Sequence, residues 1–153
     1  MNAAPVQNRI DDSKPPLSRR ILLIDDRRDN ILVMQRLLEL DGHEVFLATA
    51  GRDGVTLARQ LTPDVILCDI GLPGGMNGYD VATEIRADPV CHAVYLVAVS
   101  GYGDEEHRRK AREAGFDYYM TKPVMKDKLD ELTARMPRFT SDERKHPGWP
   151  GAR

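Results

Sequence analysis

Asp64-Val65-Ile66-Leu67-Cys68-Asp69, followed by Ile70-Gly71-Leu72-Pro73-Gly74-Gly75, is the stretch that decides the fold. Apolar residues fill 65–68 without a break. A run this short suits a strand rather than a helix. Strands that alternate apolar and polar residues have one wet face, whereas an unbroken apolar run is buried on both faces. An acid closes the run, and a loop rich in Gly and Pro carries the chain away from it.

Working outward, the same pattern recurs. Ile21–Ile24 is a short apolar run ending at Asp25-Asp26. Glu44–Ala48, Ala93–Val99 and Asp117–Met120 read as further strands. Between them lie segments of helical period: Asn30–Leu40 with Ile31, Met34 and Leu38 inward, and Asp53–Leu61 with Val55, Ala58 and Leu61 inward. Tyr79–Ala87 and Asp104–Ala114 follow, the latter with three acids in its first turn, where the helix dipole favours negative charge. Met125–Met136 is the last helix, its core positions Met125, Leu129, Leu132 and Met136. Strands alternating with helices predict a parallel sheet covered on both sides, with right-handed crossovers.

Composition narrows the function. The chain has 153 residues, 41% of them hydrophobic, enough for one ordinary domain. No apolar run approaches the ~20 residues that span a bilayer, and residues 1–18 lack the apolar core of a secretory signal. A cytoplasmic protein without membrane association is expected. Cys68 and Cys91 sit in no CxxC pair, which fits a reducing compartment. Residues 1–20 and 137–153 each hold four basic and two acidic side chains, so the net charge of −2 leaves −6 on residues 21–136. An acidic core disfavours nucleic-acid binding, which relies on Lys and Arg at phosphates. Residues 1–18 and 137–153 show no period and are rich in Pro, Gly and charge. Both are expected to be poorly ordered tails flanking a domain over 19–136. Trp149, the single Trp, falls in the second of them.

Ligands of open α/β sheets bind beyond the carboxyl ends of the strands. The residues expected there are Asp25, Asp26, Asp69, Ser100 and Lys122. Taken singly each has an ordinary role: a helix cap, a turn residue, a loop opener, a solvated lysine. Together they put three mutually repelling carboxylates in one crevice with a hydroxyl and an ammonium. A hard divalent cation such as Mg²⁺ is the natural compensation, bound by carboxylates, a backbone carbonyl and waters. A carboxylate can also be a nucleophile towards phosphorus. The set is a complete small phosphoryl-acceptor site.

The stretches Ile21-Leu22-Leu23-Ile24-Asp25-Asp26, Leu67–Pro73, Ala98-Val99-Ser100-Gly101-Tyr102-Gly103 and Ala114–Pro123 together resemble the receiver domains of response regulators in two-component signalling. The resemblance covers about 20–136. It implies an α/β fold of (βα)5 type, a doubly wound parallel sheet of flavodoxin-like order 2-1-3-4-5. It implies Asp69 as phosphoacceptor, and Mg²⁺ held by Asp25, Asp26, Asp69 and the backbone carbonyl of Gly71. Ser100 and Lys122 would contact the phosphoryl group, Tyr119 would be the aromatic that moves inward with Ser100, and Lys122–Pro123 would be a cis peptide. The donor would be a sensor histidine kinase or a phosphotransfer protein. The output would be an unidentified downstream protein reading a surface of the fourth helix, fifth strand and fifth helix. On this reading the chain is a switch in a phosphorelay, not an enzyme beyond its own phosphorylation and dephosphorylation.

The chain departs from the family's usual pattern by one extra residue between Asp69 and Gly78, within Pro73-Gly74-Gly75-Met76. Adjacent glycines make a flexible loop the expectation there. The basic run His107–Lys110 is expected to be a solvated helix face. The alternative function is a protein-interaction module of the same fold that phosphate does not regulate. Retention of all five polar site residues disfavours it. A hydrolase using an aspartyl-phosphate is disfavoured because Asp69-Ile70-Gly71 lacks the second acid of a DxD motif. A nucleotide-binding protein is disfavoured because no glycine-rich phosphate loop follows the first strand.

Overall fold

The apolar runs become strands β1 (Arg20–Ile24), β2 (Glu44–Ala48), β3 (Val65–Asp69), β4 (Tyr95–Ser100) and β5 (Tyr118–Thr121). Between and after them lie helices α1 (Arg28–Leu40), α2 (Gly51–Leu61), α3 (Gly78–Ala87), α4 (Glu105–Ala114) and α5 (Lys126–Arg135). These come from a computed structural model, which describes residues 18–136. All four strand pairings are parallel, in the order β2-β1-β3-β4-β5. The sheet is therefore the doubly wound one expected. The two segments read as tails fall outside the described residues, as does Trp149. Ser18 alone is described, its hydroxyl donating to the Gly42 carbonyl at 2.8 Å.

Alternate residues of the central strands feed two cores. Leu22, Ile24, Ile66, Cys68, Leu96 and Ala98 face α2, α3 and α4, meeting Val55, Ala58, Val81, Ile85 and Ala111. Ile21, Leu23, Val65, Leu67, Val97 and Val99 face α1 and α5, meeting Ile31, Met34, Leu38, Leu129 and Leu132. This two-sided burial is why the strands read as unbroken apolar runs. Arg86 ties α3 to the base of β4 and β5. It donates to the carbonyls of Gly115, His92 and Val94, and pairs with Asp117 at 2.7 Å.

Several boundaries differ from the sequence reading. β4 starts two residues later than expected and includes Ser100; β3 includes Asp69, the acid that closes its apolar run. Leu61, expected inward, is half-buried, because α2 ends there on Thr62 in the left-handed region (φ 40°). Met125, expected in the core, is 59% exposed and caps α5 from outside; Leu129, Leu132 and Met136 are buried as expected. The loop with the extra residue has a defined path. Gly74 and Gly75 both take φ 86°, a conformation that glycine adopts without strain, and Met76 packs on the core.

Candidate phosphoryl-acceptor site

The carboxyl ends of β1, β3, β4 and β5 place the polar residues. Asp25 follows β1 directly, Asp69 ends β3, Ser100 ends β4, and Lys122 follows β5. Carboxylate oxygens of Asp25, Asp26 and Asp69 lie within 4.8 Å of one another. Asp25 and Asp69 are buried, whereas Asp26 is exposed. Lys122 Nζ lies 3.2 Å from Asp69 Oδ1 and 3.8 Å from Asp25 Oδ2. The structure thus brings together the three acids and the lysine that the sequence nominates.

Asp69 is asymmetric. Its Oδ1 accepts the Gly71 N–H at 3.2 Å and faces Lys122. Its Oδ2 accepts no hydrogen bond from the described residues. One oxygen is anchored and the other is not. Gly78 fixes the backbone behind it: a Cβ there would lie 2.5 Å from the Asp69 carbonyl oxygen and 2.6 Å from Ile70 Cα. Gly78 opens α3, and Asn77 and Asp80 cap that helix reciprocally. In the sequence Gly78 stands out only as the end of the interval from Asp69 that holds the extra residue. The Asn77-Gly78-x-Asp80 pattern carried the capping signal, and the need for glycine comes from the close approach.

Asp25 shows what the cluster lacks. Its Oδ1 accepts the Arg27 N–H at 2.9 Å, but its buried Oδ2 has no hydrogen-bond partner. Burial pushes its carboxyl above the usual range, and the Asp69 and Asp26 charges add to this. The Arg27 amide and Lys122 act against it. A buried, unpartnered carboxylate oxygen beside two further carboxylates fits a hard divalent cation. Cys68, next to Asp69, is fully buried and its thiol is pushed up by burial, so it packs and does not react.

On the other side of Ser100 the chain makes a relay. Ser100 Oγ accepts the Tyr102 N–H at 3.1 Å, and the Tyr102 carbonyl accepts the Tyr119 hydroxyl at 2.5 Å. The Tyr119 ring lies under the Arg108 guanidinium, 4.7 Å from its centroid. The Lys122–Pro123 peptide is cis. The run His107–Lys110 is more than a solvated face: the rings of His107 and Tyr102 stack at 4.5 Å, and Arg109 bridges Glu106 and Glu113. No helix among the described residues is long and apolar enough to cross a membrane.

Comparison with known proteins agrees with this geometry. The family model of the response regulator receiver domain matches residues 21–134. Protein PilH of Pseudomonas aeruginosa is 36% identical over 110 residues, covering 72% of this chain and 90% of PilH. Response regulator PleD of Caulobacter vibrioides is 30% identical over 71% of this chain, which spans 24% of PleD. Among solved structures, the receiver domain of a Pseudomonas aeruginosa sensor histidine kinase has a magnesium ion coordinated in its active-site cleft. It is 29% identical, with TM-score 0.71, over 78% of this chain and 97% of that one. The chemotaxis protein CheY4 of Vibrio cholerae shares the fold, with TM-score 0.74 at 21% identity over 78% of this chain and 99% of that one. By its sequence over 21–134 and its five-stranded fold, the chain belongs to the response regulator receiver family of two-component signalling.

Proposed function

We propose that this chain is a phosphorylation switch in which Asp69 takes a phosphoryl group from a phosphohistidine of a sensor kinase or phosphotransfer protein. The observation that carries the reading is the asymmetry of Asp69. Gly71 and Lys122 hold Oδ1, so Oδ2 is the oxygen available to attack phosphorus. The new Oδ2–P bond forms as the P–N bond to the donor imidazole breaks, and that nitrogen keeps the electron pair. With acetyl phosphate as donor, the breaking bond is P–O and acetate leaves. Lys122 offsets charge on the phosphoryl oxygens. Asp25, Asp26, Asp69 and the Gly71 carbonyl would hold Mg²⁺, which supplies charge neutralisation at the transferring group when bound.

After transfer, Ser100 Oγ donates to a phosphoryl oxygen. Its displacement either drags the Tyr102 N–H or breaks that bond. Both results move the Tyr102 carbonyl, which is the acceptor for Tyr119. Tyr119, whose ring already packs partly on the core, responds through this hydrogen bond and alters the face made by α4, β5 and α5, which a downstream protein reads. The chain acts as a switch rather than as an enzyme with an external substrate.

Beryllofluoride with Mg²⁺ tests the reading by amide NMR. Shifts at Asp69, Gly71, Ser100, Tyr119 and Lys122, absent from Asp69→Asn, are expected. A wild-type spectrum that does not respond, with the protein folded, would leave an interaction module that phosphate does not regulate.

A further inference from the structure

The loop that leaves Asp69 carries one residue more than the family's usual pattern, and two adjacent glycines. Both features widen the conformations open to it. Yet both feet of the glycine tip are pinned. Leu72, before the tip, is 5% exposed and belongs to the core cluster that meets α2, α3 and α4. Met76, after the tip, packs half-buried on the same cluster. It sits in a notch that α2 leaves at Gly51. A Cβ on Gly51 would lie 3.0 Å from the Met76 carbonyl oxygen and 3.1 Å from Met76 Cγ, tighter than side chains ordinarily approach. α2 has no side-chain cap at Ala50, and a carbonyl oxygen at that end suits the positive pole of its dipole. Between the two pins, Pro73, Gly74 and Gly75 are exposed. Gly71, directly before Leu72, donates its N–H to Asp69 Oδ1 at 3.2 Å.

We infer that Met76 is a positioning residue of the acid site: seated against Gly51, it holds the β3–α3 loop on α2 and so keeps Gly71 where its carbonyl and the three carboxylates serve one divalent cation. The inference rests on the phosphoacceptor reading and deepens it. One hydrogen bond from Gly71 does not order a loop with two adjacent glycines, because glycine carries more backbone freedom than any other residue. Burial of the Met76 side chain offsets that freedom, and an unbranched thioether fits an irregular notch without strain. Gly51 is the other half of the contact, since a side chain there would press the loop away from α2. A weakly held segment of this kind opens as a unit, so releasing the Met76 foot frees the Gly71 amide as well as the tip. The cation binds the closed loop, and its affinity falls with the closed fraction.

The test uses the full chain, with Met76→Ala, Met76→Leu and Gly51→Ala, each checked for folding by its melting curve. Solvent exchange of the Gly71 amide is read by NMR without metal, and Mg²⁺ affinity by titration of the same resonances. Met76→Ala is expected to exchange Gly71 about fivefold faster, as the loss of a half-buried side chain implies. It is expected to bind Mg²⁺ about threefold more weakly, through the smaller closed fraction. Met76→Leu, a swap that conserves volume, is expected to restore both values. Gly51→Ala, which leaves the methionine in place and crowds it, is expected to weaken Mg²⁺ in the same direction. If wild type binds no Mg²⁺, the metal-dependent phosphoacceptor reading fails, and faster Gly71 exchange in Met76→Ala still supports the loop clamp. Unchanged Gly71 exchange in Met76→Ala overturns the inference, as does faster exchange at wild-type Mg²⁺ affinity.

Discussion

Lys122 Nζ sits 3.2 Å from Asp69 Oδ1, on the same oxygen that accepts the Gly71 amide. It also lies 3.8 Å from Asp25, so a single cation faces two buried carboxylates. The cluster is short of positive charge, and that shortage has consequences for stability.

Removing one of the repelling acids should stabilise the fold. Asp69→Asn keeps the shape and deletes a charge beside Asp25 and Asp26. In EDTA its unfolding free energy should exceed wild type by about 1 kcal/mol, as stability and function trade off at such sites. Added Mg²⁺ should shrink the difference by stabilising wild type more. Urea melts with and without Mg²⁺ check this; a destabilised Asp69→Asn would contradict it.

Gly78 allows α3 to start against the Asp69 backbone. A methyl at that position would stand 2.5 Å from the Asp69 carbonyl oxygen, so backbone must shift. Gly78→Ala should cost roughly 1–3 kcal/mol in urea denaturation, the usual range for overpacking. It should also lower the labelling rate of Asp69, because the displaced strand end carries that residue.

Arg86 and Asp117 form a buried pair, with side chains only 11% and 10% exposed. Asp117 Oδ2 also accepts the Leu96 N–H, and Arg86 satisfies three carbonyls. Arg86→Ala should destabilise by about 3–5 kcal/mol, the cost of leaving a buried charge without its partner. The melting temperature measures it. A loss under 1 kcal/mol would mean that water replaces the guanidinium with ease.

His43 should make the fold sensitive to mild acid. Its Nδ1 accepts the Arg19 N–H at 3.0 Å, and burial holds its pKa below the ordinary 6.5, with Asp41 opposing and Arg19 adding. The unfolded chain therefore binds this proton at a higher pH than the folded one. The contribution to stability is complete above about pH 6.5 and is lost as pH falls through the folded value. Urea melts between pH 7.5 and 5.5 should show that loss, and His43→Gln should flatten it.

The sheet and the site ends were legible because both follow from local rules. Unbroken apolar runs such as Val65–Cys68 require burial on two faces. A parallel sheet then fixes Asp25, Asp69, Ser100 and Lys122 at one edge. What escaped the sequence depends on contacts across loops. The stack of Tyr102 on His107 and the placement of Arg108 over Tyr119 need the course of residues 101–104 before they can be seen. Met125 matched the helical period of the last core stripe but lies outside because α5 begins after it. Periodicity marks a face and says little about where a helix starts.

The most direct test is intact-mass analysis after incubation with acetyl phosphate and Mg²⁺, with Asp69→Ala and an EDTA control run beside wild type. The account predicts one phosphoryl group on wild type and none on either control. An equal adduct on Asp69→Ala would contradict it, as would a folded wild-type protein that takes none while its Tyr119 resonances ignore beryllofluoride.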